Sequence, residues 1–331
     1  MKGIFKHSLL ASALFTASLT SLPALAKSVT VDHIMGSTTI ESSPKRVVVI
    51  GVGVLDAVDV LGIKPVAVSK GNAFPEYLAQ YEDKSFASSG TIFEPDFEAI
   101  YMQKPDLIIV GPRSSKHFEE LSKIAPTFVY AVENGKDYWQ STQELWNDLG
   151  EIFDKQAVVK QKIDGLNQRF EAIKSYNQSH DMDALMLMSS GGNTTSFGKG
   201  SRFSVLYDDF GFKPTIDFKP ATEKLDEKAK ATQGKKSGRT GGHGQLVSYE
   251  LISQENPSTL LILDRDKLVN KGKSTTRQDF ENDLVKSTDA YKNHRMIYLD
   301  IPAWYVASSG ITATETMVKD IESLTQASSA K

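Results

Sequence analysis

Between residues 155 and 175 the apolar side chains Val159, Ile163, Leu166, Phe170 and Ile173 step by four and three, with no proline and no central break. That spacing lays one apolar stripe along about five turns of helix. On either side the chain carries only short apolar runs. Strands are predicted over 47–50, 66–68, 107–110 and 127–130 before it, and over 185–188, 260–263 and 296–299 after it. A helix is predicted over 55–61. Short apolar runs alternating with amphipathic stretches are the pattern of α/β units. The simplest layout is two α/β lobes with a ligand cleft between them, joined by one long α-helix. The expected divisions are 27–152 for the first lobe, 153–178 for the connecting helix and 179–331 for the second lobe. A single large α/β domain is the alternative.

The two halves echo each other. Glu98 stands seven residues before Pro105, the run 107–110 follows, and Arg113 comes eight residues after the proline. Glu250, Pro257, the run 260–263 and Arg265 repeat that order and spacing. Ligands of open α/β sheets bind beyond the carboxyl ends of the strands. Each half therefore offers one guanidinium group to a shared cleft.

The ends and the charge restrict where such a chain works and what it meets. Residues 1–26 read as a signal peptide: Lys2 and Lys6, an apolar stretch over 9–22, and the small-x-small site Ala24-Leu25-Ala26. A retained anchor helix is the alternative, but the stretch is short and broken by Ser and Thr. Cleavage removes two of 38 basic residues and none of 41 acidic ones, so the net charge falls from −3 to −5. An acidic chain argues against nucleic acid as partner. There is no cysteine, hence no thiolate metal site and no thiol for a lipid anchor. A soluble periplasmic protein is expected.

Enzyme signatures are weak. The chain has no G-x-S-x-G elbow and no H-E-x-x-H helix. Lys271-Gly272-Lys273-Ser274 resembles the end of a phosphate loop, but Lys267 stands where its first glycine belongs. Ser190-Gly191-Gly192-Asn193 lacks the spacing of a dinucleotide fingerprint. Among the histidines, His243 stands out by its setting in Gly241-Gly242-His243-Gly244 just before a predicted helix; a surface histidine is the plain alternative. Tyr305 follows the predicted strand 296–299, which places it near the strand-end cleft; packing into the core beside Trp304 is the alternative. Arg202 follows a glycine-rich turn after the strand 185–188, and a solvated surface arginine is its alternative. Three arginines meeting in one cleft are costly without an anion, so an anionic ligand is expected.

These segments resemble the helical-backbone class of periplasmic binding proteins (class III, cluster A), and within it the binders of ferric catecholate siderophores of the enterobactin type. The resemblance spans the mature chain and rests on Ser43-Pro44-Lys45-Arg46-Val47-Val48, Pro105-Asp106-Leu107-Ile108, Gly111-Pro112-Arg113, Gly200-Ser201-Arg202-Phe203, His243-Gly244-Gln245 and Leu263-Asp264-Arg265. It implies that Arg113, Arg202 and Arg265 surround an anionic Fe(III)-siderophore complex. It also implies that His243 and Tyr305 complete the iron coordination when the siderophore supplies four donor atoms. Ferric iron is a hard cation that suits catecholate and phenolate oxygen and accepts imidazole. A tyrosine ordinarily ionises near pH 10, so bonding to iron would have to displace its proton.

Further implications are that Glu98 and Glu250 dock onto the permease of an inner-membrane ABC transporter, that the protein is a monomer without a permanently bound cofactor, and that the lobes close little on binding. Residues 219–239, rich in Lys, Glu and Gly, look longer than the family's segment there and are read as a loop or as a basic lid over the ligand. Haem or another metal chelate is the alternative ligand. An exported siderophore-modifying enzyme is the reading from another class, and no nucleophile–base pair for it is visible.

Overall fold

A computed structural model describes residues 28–71, 74–133, 136–216 and 244–329. The signal-peptide assignment to 1–26, the segment 219–239 and His243 lie outside them. The chain opens with an antiparallel hairpin, β1 (Ser28–His33) and β2 (Gly36–Glu41). Its inward residues Val29, Val31 and Ile40 are buried, and Thr38 Oγ1 donates to the Thr127 carbonyl.

The first sheet is fully parallel, in the order β5 (Ala87–Ser88), β4 (Ala67–Val68), β3 (Val47–Ile50), β6 (Leu107–Val110), β7 (Thr127–Val129). Every residue of β3 and β6 is buried. Both faces of a parallel sheet are covered, which is why these strands read as unbroken apolar runs and not as alternation. The helix predicted over 55–61 is observed at Val52–Val60.

The second sheet has the order β11 (Gln245–Leu246), β9 (Asn193–Phe197), β8 (Asp183–Ser190), β12 (Leu260–Asp264), β13 (Met296–Tyr298), with β10 (Lys213–Pro214) pairing β8 outside this path. β8, β12 and β13 are parallel, whereas β9 runs antiparallel to β8. Gly191 and Gly192 make the two-residue turn between β8 and β9, with φ of 60° and 76°. Paired left-handed residues are what such a hairpin needs, so the glycine pair serves the β8–β9 turn and not a dinucleotide.

The helix between the sheets spans Gln156–Ser179 and buries Val159, Ile163, Leu166, Phe170 and Ile173. Phe170 stacks on Trp139 and on Phe210, with ring centroids 4.7 Å apart in each case. A second connection was not expected. After β13 the chain makes a π-helical turn, Pro302–Val306. The C-terminal helix Ile311–Ser329 then packs on the helix Val52–Val60 and on the connecting helix. The expected second lobe, 179–331, therefore ends in a helix that returns to the first half. An apolar helical face shows that a helix is buried, but not against which lobe.

Candidate functional site

Four elements bring side chains to the cleft from both halves. Arg113 follows β6 after Gly111 and Pro112. Arg202 follows the turn that leaves β9. Arg265 opens the helix Arg265–Val269 directly after β12. Tyr305 sits in the π-helical turn beyond β13, an irregularity found more often at functional sites than elsewhere in helices.

The three guanidinium groups converge on this one tyrosine. Their Cζ atoms lie 5.8 Å (Arg113), 4.4 Å (Arg202) and 5.7 Å (Arg265) from its ring centroid, within cation–π reach. Arg113 Nη2 and Arg202 Nη2 donate to the Tyr305 carbonyl at 3.2 and 3.4 Å. Arg265 Nε donates to the Tyr305 hydroxyl at 3.1 Å, and its Nη1 donates to Ser190 Oγ at 2.7 Å. Ser190 thus fixes the fork of Arg265, a role that its place at the end of a strand does not reveal in sequence.

Among the described residues none of the three arginines reaches a carboxylate within ion-pair distance. Burial pulls Arg113 below the ordinary guanidinium value, against the pull of Tyr305. Arg202 is also drawn down, first by desolvation; Tyr305 opposes this and the like charge of Arg113 adds to it. The residue as a whole remains exposed, while the rings of Tyr305 and Phe203 lie 4.4 and 5.3 Å from its guanidinium carbon. Positive charge gathered at this cost asks for a negative partner.

A cavity of about 800 Å³ adjoins this cluster, a size that suits a small ligand. Arg113 and Arg202 line it, together with Tyr130, Tyr138, Phe203 and Trp304. Arg265 and Tyr305 stand beside it and are not part of that lining. Tyr130 and Tyr138 are new as cavity residues relative to the sequence reading, in which Phe203 and Trp304 figure only as neighbours of Arg202 and Tyr305. Glu98 and Glu250 lie away from the cleft. Both are exposed and each is the second residue of a short helix, Phe97–Met102 and Tyr249–Glu255, capped by Asp96 and Ser248. Among the described residues no group of three or more His, Asp or Glu could hold a metal ion, and no helix is long and apolar enough to cross a membrane.

Residues 47–303 match the periplasmic binding protein family. The petrobactin-binding protein YclQ of Bacillus subtilis is 33% identical over 297 residues, 89% of this chain and 87% of that protein. The ferric-anguibactin-binding protein FatB of Vibrio anguillarum is 29% identical over 297 residues, 88% and 86% of the two chains. Among solved structures, the periplasmic catecholate-siderophore binding protein VctP of Vibrio cholerae superposes with a TM-score of 0.81 at 51% identity, covering 90% of this chain and 100% of its own.

Proposed function

This chain belongs to the periplasmic binding protein family, and on that premise we propose that it captures a ferric catecholate siderophore in the cleft between its lobes and delivers it to the permease of an ABC importer. It is a binding protein of a transport system, not an enzyme, and the iron complex is cargo rather than a resident cofactor. The observation that carries the reading is the convergence of Arg113, Arg202 and Arg265 on the Tyr305 ring. Three fixed positive charges match a chelate whose catecholate oxygens leave it anionic, and charge-assisted contacts of this kind are the stronger hydrogen bonds in proteins.

Tyr305 is assigned to an open iron position of a tetradentate complex; its hydroxyl already faces the Arg265 guanidinium. His243, outside the described residues, is assigned the other. Glu98 and Glu250 are assigned to docking, one carboxylate per lobe, as exposed charges away from the cleft. Replacing both by lysine is expected to abolish iron uptake while changing siderophore affinity by less than about twofold, since surface charges far from a site contribute little to it. The remaining assignments are export by the cleavable segment 1–26 without a lipid anchor, action in the periplasm, and a monomeric state.

Titration by tryptophan fluorescence, with Trp304 next to Tyr305 in the chain, tests the reading. Ferric bis-catecholate and tris-catecholate complexes are expected to bind, and ferric hydroxamates and haem to bind far more weakly. Preferential binding of haem would move the assignment to the other ligand class.

A further inference from the structure

Tyr305 belongs to the segment that crosses from β13 back to the first lobe, and beyond the tyrosine that segment is gripped by first-lobe side chains. Ser309 is the centre of the grip. Its carbonyl accepts from Tyr130 Oη at 2.5 Å and from Trp146 Nε1 at 2.8 Å, and its N–H donates to Tyr138 Oη at 2.9 Å. Three residues further on, the buried carboxylate of Asp56 receives the N–H groups of Thr312 at 2.9 Å and Ala313 at 2.8 Å. Tyr77 Oη donates to the same carboxylate at 2.9 Å. Asp56 therefore satisfies the first turn of the helix Ile311–Ser329 from another element, doing across the lobes what a side-chain cap does locally.

The contact is close enough to dictate glycines. A Cβ on Gly53 would lie 2.2 Å from the Ser308 carbonyl oxygen, and one on Gly310 would lie 2.3 Å from Asp56 Oδ2. Asp56 is fully buried among the apolar residues Val52, Val54, Leu55, Ala57 and Val58 of the helix Val52–Val60, whereas Asp59 in the same helix is only partly buried. A buried carboxylate persists only when its acceptors are filled, and here the donors come from elsewhere in the fold.

We propose that Asp56 is a positioning residue for the cleft: by anchoring the crossing segment to the first lobe, it holds Tyr305 at the point where the three guanidinium groups meet. The lobes are then tied twice, by the connecting helix and by this crossing. Tyr305 keeps its place with respect to Arg113 through the first lobe and with respect to Arg265 through the second. A cleft built this way is preformed, which spares a ligand the cost of ordering it. The role of the tyrosine in binding rests on the function proposed above; its positioning does not.

The test uses the full mature chain with a single fluorotyrosine at 305, read by fluorine NMR, beside affinity for a ferric linear bis-catecholate. Asp56→Asn keeps shape but places a donor where acceptors are needed. It is expected to stay folded, to shift or split the fluorine signal, and to weaken bis-catecholate binding roughly tenfold. Combined with Tyr305→Phe it should add less than about twofold, because both changes act on one contact. Tyr77→Phe, a milder change outside the cleft lining, should shift the signal in the same direction by less, and it serves if Asp56→Asn does not fold. An unchanged fluorine signal in either folded variant overturns the proposal, as does full additivity with Tyr305→Phe. If Tyr305→Phe alone leaves bis-catecholate affinity untouched, the ligand role of the tyrosine falls, and the fluorine signal still decides the clamp.

Discussion

Arg265 shows how much one side chain does at this site. Its Nε serves the Tyr305 hydroxyl and its Nη1 serves Ser190, so its fork is spent on fixing geometry while its charge faces the cleft. Lysine keeps the charge but cannot hold two directions at once. Arg265→Lys is expected to weaken ferric bis-catecholate binding roughly tenfold in fluorescence titration; unchanged affinity would show that charge alone matters there. Arg113→Ala removes a charge-assisted donor worth about 1.5–3 kcal/mol and should weaken every anionic complex by ten- to a hundredfold. At this scale the sequence was informative where spacing repeats. Arg113 and Arg265 were paired by their eight-residue distance from a proline, and the structure brings both to one ring. Ser190 and Asp56 gave no comparable signal, because each acts through partners distant in the chain: Asp56 meets Ala313, 257 residues later.

Among the elements, the connecting helix was the most legible and its packing the least. Its apolar period marked Phe170 as buried, but nothing in the period names Trp139 and Phe210 as the rings it stacks between. Those partners come from the first lobe's last helix and from a loop of the second lobe, so the stack spans the seam. Phe170→Ala should cost about 3–5 kcal/mol. At roughly 2–4 °C per kcal/mol for a protein approaching this size, Tm should fall by about 10 °C in thermal unfolding followed by circular dichroism. A fall of only a degree or two would mean that the stack does not join the lobes. β3 and β6 were read from sequence because buried parallel strands are continuously apolar. β9 was missed because Asn193-Thr-Thr-Ser-Phe197 is largely polar and is specified by the glycine turn before it.

At the scale of the whole molecule, several carboxylates are raised by burial. Burial raises Asp56 to about 6, against its hydrogen bonds from Thr312, Ala313 and Tyr77. Burial, then the charges of Glu151, Glu144 and Asp32, raises Asp148 to about 7. Asp209 is raised to about 7 by burial and then by Asp137. A carboxylate whose folded value exceeds its unfolded value near 3.9 takes up a proton on folding. The stability it contributes is complete below the unfolded value and is lost as pH rises through the folded one. His33 opposes this, since burial lowers it and its reluctance to charge weakens the fold in acid. With these three carboxylates and Asp320, which burial also raises, set against His33, Tm should rise between pH 8 and pH 5 at constant ionic strength; a steady fall over that window would show that these carboxylates are hydrated or paired.

Where the negative charge of the cargo sits is settled by a crystal structure of the protein with a bound ferric bis-catecholate. Catecholate oxygens are expected within about 3 Å of guanidinium nitrogens from Arg113, Arg202 and Arg265, with iron facing the Tyr305 hydroxyl. A chelate seated elsewhere, with those three side chains still gathered around an unengaged tyrosine, would contradict it.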